Sequence, residues 1–62
     1  MSEVGNVLLV AREIILRKPH LKNQIQGIYE LMLAEIEEGE SVANETSLAL
    51  ESLRELDDPV EA

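Results

Sequence analysis

The sequence predicts an all-α protein: a helical hairpin preceded by a further apolar helix, assembled as a homodimer. Three observations carry this. Apolar residues recur at three- and four-residue intervals through three segments, the rhythm of an amphipathic helix. Pro19 and Gly39 fall between the segments, where helices begin and end. The chain has only 62 residues and no cysteine, so it forms one domain with a marginal core and no disulfide to support it. Association between copies is the remaining way to enlarge that core.

The first helix is expected over 3–17. Val4, Val7, Leu8, Ala11, Ile14 and Ile15 fall on one face, while Leu9, Val10 and Leu16 lie off it. A helix that is apolar on several sides is normally covered on several sides, so a second copy is expected against it, and Leu9→Asp is expected to weaken assembly. Arg17 and Lys18 place positive charge at its C-terminus, where the helix dipole favours it.

The second helix is expected over 19–38, with Pro19 in its first turn. Leu21, Ile25, Ile28, Met32 and Ile36 form its main stripe, flanked by Tyr29, Leu31 and Leu33. Gly27 interrupts it, either as a surface glycine or as a point where another helix backbone comes close. Gly39 suits the left-handed position that ends a helix.

Ser41 then reads as the N-cap of a third helix over 42–57. Val42, Thr46, Ala49, Leu53 and Leu56 repeat at four- and three-residue steps, a heptad seam that Leu48 and Leu50 widen. Asp58 precedes Pro59 and so leaves the helical conformation; residues 58–62 are expected to form a frayed tail. The short 39–41 connection makes the second and third helices antiparallel neighbours, with Leu53 and Ile36 expected to pack across it. The core and dimer interface are accordingly assigned to Val7, Leu8, Leu9, Ile14, Ile15, Ile25, Ile28, Met32, Ile36, Leu53 and Leu56.

Composition narrows the function. With no Phe or Trp and a single Tyr, the apolar set suits helix packing and not a pocket for a planar cofactor; none is expected. His20 is the sole histidine and is expected to be exposed in a first turn, away in sequence from the hydroxyls of Ser41, Thr46, Ser47 and Ser52. Glu35, Glu37, Glu38 and Glu40 crowd a helix end as solvated carboxylates, not an acid–base pair, and 37–45 matches a calcium loop only faintly. No enzyme and no metal site are expected. The apolar run at Val7-Leu8-Leu9-Val10-Ala11 is too short for a signal-peptide core or a membrane span, so the cytoplasm is the expected location, and the sequon at Asn44-Glu45-Thr46 is read as chance.

Charge is divided along the chain. Residues 1–29 hold Arg12, Arg17, Lys18 and Lys22 against Glu3 and Glu13, a balance of +2; residues 30–62 hold eleven carboxylates against Arg54, a balance of −10. The acidic half solubilises the protein, docks a basic partner, or imitates DNA toward a basic protein. The basic corner complements the helix dipole and pairs with the acidic half of another subunit, or contacts phosphates. An acidic chain makes nucleic acid the less favoured partner.

The stretch IYELMLAEIEEGESVANE, residues 28–45, resembles small helical early-region proteins of lambdoid phages and prophages, over roughly residues 20–56. That resemblance implies a homodimeric helical protein that modulates phage development or host physiology through protein contacts. Gly39, Val42 and Asn44 are also similar to a pattern in acidic helical regulators of bacterial biofilm and acid resistance. Length and acidity resemble those of plasmid copy-control hairpins, which bind RNA as four-helix dimers. The expectation is a non-enzymatic, phage- or mobile-element-encoded modulator with a host or phage protein as partner. Tyr29, Leu33, Leu48 and Leu50 are its candidate contact residues, in an apolar patch rimmed by carboxylates. The alternative is a nucleic-acid-binding dimer using Arg12, Arg17, Lys18 and Lys22.

Overall fold

Each helix begins and ends where a particular side chain or backbone conformation requires it. The structure, a computed structural model, describes residues 2–58, and all but the first residue of the tail expected at 58–62 lies outside them. Three helices, α1 (Glu3–Arg17), α2 (Lys22–Glu37) and α3 (Val42–Asp57), run up, down and up, so the fold is all-α as the sequence predicts. Ser2 opens α1 by accepting a hydrogen bond from the Gly5 amide at 2.9 Å. Ser41 opens α3 in the same way, accepting from Asn44 at 3.3 Å.

The start of α2 differs from expectation. Pro19–Leu21 form a separate 3₁₀ turn, and the α-helix begins at Lys22. Pro19 does occupy the first position of that turn, but Lys18 before it has no side-chain acceptor for the free amides. The turn therefore tightens, with the Leu21 amide donating to the Lys18 carbonyl at 3.0 Å. His20 is exposed there. At the other end, Gly39 adopts φ 105°. Its amide donates to Ile36 at 3.0 Å and that of Glu40 to Glu35 at 3.1 Å, the paired bonds of a Schellman motif. Asp58 turns extended, as its place before a proline dictates.

Val7, Ala11 and Ile14 from α1, Ile25 and Met32 from α2, and Ala49 and Leu53 from α3 form the buried core. Ile15, Ile28, Ile36 and Leu56 are half-buried against it. Thr46 is the one polar residue buried with them among the described residues; its hydroxyl donates to the carbonyls of Val42 and Ala43 at 2.8 and 3.1 Å, so the core carries no unsatisfied hydroxyl.

Two packing expectations are corrected. Val42 is 42% exposed, because the first turn of α3 stands at the bundle's end, level with the start of α1. Leu53 and Ile36 do not face each other. At about 1.5 Å per residue, Leu53 stands far along α3 from the turn and Ile36 close to it, so Leu53 meets the N-terminal half of α2. Leu8 and Leu9, assigned to the core or dimer interface, are exposed within the chain and so stand outside its own core, which leaves the dimer-interface part of that expectation as it was. No helix among the described residues is long and apolar enough to cross a membrane.

Candidate interaction surfaces

Three helices close a core only where their apolar faces are wide enough to meet. Here α3 packs along both α1 and α2, and the α1–α2 seam is the thinner one. Small Ala11 stands on the α1 side of that seam, and the floor of the resulting groove, about 350 Å³, is formed with Leu8, Ile15, Ile25 and Tyr29. Arg12 and Glu30 stand along it, both exposed, and neither makes an ion pair among the described residues. Helical spacing sets Leu33 one turn beyond Tyr29 on the same side of α2.

The α2–α3 seam is the second opening. Ile28, Leu31, Met32, Leu48 and Ala49 line a shallow groove of about 150 Å³ beside Glu45. It continues into a wider one of about 520 Å³ with Gly27, Leu56 and Glu55. Leu31 is 62% exposed and Leu48 50%, high values for leucines that share one surface. A Cβ at Gly27 would meet nothing within 4 Å, so within the chain it is a surface glycine.

The four candidate contact residues therefore belong to three places. Tyr29 and Leu33 lie on the α1 side of α2, and Leu48 lies in the α2–α3 seam. Leu50 is half-buried against the core and lines neither groove. Periodicity marks these positions as apolar but does not say which neighbour each faces.

The basic corner is also divided. Arg17 donates from Nη1 and Nη2 to Asp57 Oδ1 and Oδ2, each at 3.1 Å. Lys18 Nζ lies 3.3 Å from Asp57 Oδ1 and donates as well to the Asp57 main-chain carbonyl. Arg12 belongs to the α1–α2 groove, and Lys22 is exposed at the start of α2. The hydrogen bond from Arg17, with that from Lys18 and both positive charges, holds the Asp57 carboxyl below its ordinary range against the opposing effect of desolvation. In the sequence, Asp57 is marked only as the last residue of the expected third helix. Its partner became legible once α1 and α3 were known to run parallel.

Among the described residues, no group of three or more His, Cys, Asp or Glu side chains is placed to hold a metal ion. The length of α2 separates His20 from Ser41. Fold and surface together define a small up–down–up three-helix bundle with two apolar seams open to solvent. Comparison with protein-family models, with curated proteins and with solved structures found no match.

Proposed function

We propose that the protein is a non-enzymatic helical modulator that acts through protein contacts, holding on its α2–α3 face a partner that offers an amphipathic, cationic helix. One observation carries the reading: Leu31 and Leu48 lie exposed together in a seam edged by Glu45 and Glu55. Exposed apolar patches with polar rims mark interaction sites, and a groove between two helices is the usual seat for the apolar face of a third. The carboxylates select the sign of the partner's charge. The sequence resemblance at residues 28–45 begins within this face, at Ile28, and fits a phage- or mobile-element-encoded regulator working in the cytoplasm.

A labelled Lys/Leu amphipathic peptide tests this, with a scrambled peptide of equal charge as control. The helical peptide is expected to bind and the scrambled one not. Leu31→Ala together with Leu48→Ala is expected to weaken binding at least about tenfold, the effect of losing a contact worth ~1.4 kcal/mol. Unchanged binding by this double variant, with helicity intact, overturns the proposal.

A further inference from the structure

We propose that the α1–α2 groove is the seat of a second copy of this chain, in a two-fold arrangement that sets α1 of each copy over α2 of the other and pairs Arg12 with Glu30 twice. This names the surface for the self-association expected from sequence, and it does not depend on the partner proposed for the other face.

The charge pattern identifies the occupant. In a two-fold contact, whatever residue i meets on the partner, the partner's residue i meets in return. A face that suits its own copy therefore carries both signs of charge. The α1–α2 groove does, with Arg12 on one helix and Glu30 on the other above the apolar floor of Leu8, Ile15 and Tyr29. Antiparallel running through the Lys18–Leu21 turn brings Arg12 and Glu30 to within about one helical turn of the same height. A two-fold axis along the groove thus sets each arginine over the other copy's glutamate. The α2–α3 groove has no such symmetry, since its ionised rim residues are Glu45 and Glu55, and a second copy seated there would set carboxylate against carboxylate. Size is sufficient as well. The molecule measures 38 × 22 × 20 Å, so a long face offers up to roughly 800 Å² per copy, the share of a standard interface.

The test uses the whole chain in analytical ultracentrifugation at micromolar concentrations. The wild type is expected at twice its 6.9 kDa chain mass. Leu8→Asp, Arg12→Glu alone and Glu30→Arg alone are each expected to raise the dimer dissociation constant at least about tenfold, with helicity retained because all three positions are exposed. The Arg12→Glu chain mixed with the Glu30→Arg chain is expected to recover the dimer, because only in the mixed pair are both crossings again between opposite charges. A cross-helix pair within one chain predicts no such recovery. A monomeric wild type, or a mixture that stays monomeric, overturns the inference. So does a dimer that Leu31→Ala dissociates and Leu8→Asp does not. The peptide assay is read separately: its failure alongside a successful mixing experiment removes the α2–α3 partner and leaves this interface standing, and the reverse result removes this interface alone.

Discussion

Arg17 and Asp57 hold each other through two parallel hydrogen bonds of 3.1 Å across 40 positions of sequence. The contact ties the last turn of α1 to the last turn of α3. It also resolves a local conflict, because a carboxylate at a helix C-terminus lies where the helix dipole favours a cation. Arg17 and Lys18 supply cations from the neighbouring helix, and Lys18 also covers the Asp57 carbonyl, one of those left without an intrahelical donor. As Arg17 is 58% exposed, the pair orients two helix ends more than it stabilises them.

The pH dependence follows from the sign of the shift. The Asp57 carboxyl is held below its ordinary range chiefly by the hydrogen bond from Arg17, so its contribution is present above the unfolded-state value and is lost as pH falls through the lowered folded-state value. Asp57→Asn should therefore melt below the wild type at neutral pH, and the gap should close in acid. Added salt should also narrow it. Thermal melts over a pH series check this, and a gap that does not change with pH would refute it.

Helix boundaries were legible because single residues set them: Ser41 caps, Gly39 adopts a positive φ and Pro19 cannot continue a helix. The core was legible to the extent that periodicity marks one face, which is why Val7, Ile14, Ile25, Met32 and Leu53 are buried as predicted. Periodicity does not say which neighbour the flank of a helix meets. Tyr29 and Leu48 therefore looked like members of one patch although the structure puts them on different seams. Asp57 escaped for a related reason, since an ion pair across 40 positions needs the topology before it can be seen.

Leu53 is fully buried and Ile36 half-buried. Leu53→Ala is expected to cost about 2–5 kcal/mol and Ile36→Ala less. Because the two stand more than one turn apart along the bundle and do not face each other, their effects should add to within about 0.5 kcal/mol. Chemical denaturation of the single and double variants measures this, with Leu53→Val replacing the alanine if that chain does not fold. A coupling well above that figure would restore the direct contact suggested by sequence.

Two glycines should respond to alanine with opposite signs. Gly27 is mid-helix with open space where a Cβ would stand, so Gly27→Ala should stabilise the fold by about 0.5–1 kcal/mol. Gly39 has φ 105°, where a side chain is strained, so Gly39→Ala should destabilise it by ~1–2 kcal/mol. Denaturant midpoints decide both. Destabilisation by Gly27→Ala would mean that something outside the chain's own helices already presses on that surface.

The partner face can be probed by a substitution for which two mechanisms predict opposite results. Leu31→Asp adds a negative charge to a seam already edged by Glu45 and Glu55. If a cationic helix is held by charge alone, the variant should bind it more tightly, most of all at low salt. If the helix docks its apolar face into the seam, the variant loses the most exposed leucine there and sets a charge against apolar side chains, which is costly without a partner. Binding should then fall at every salt concentration, despite the added attraction. The second outcome is expected, because Leu31 and Leu48 supply the exposed apolar surface of the groove and the carboxylates only its edge. Titrating the Lys/Leu peptide against wild type and Leu31→Asp at low and physiological salt decides the matter. Tighter binding by the variant at low salt, disappearing as salt rises, would reduce the face to a non-specific acidic surface.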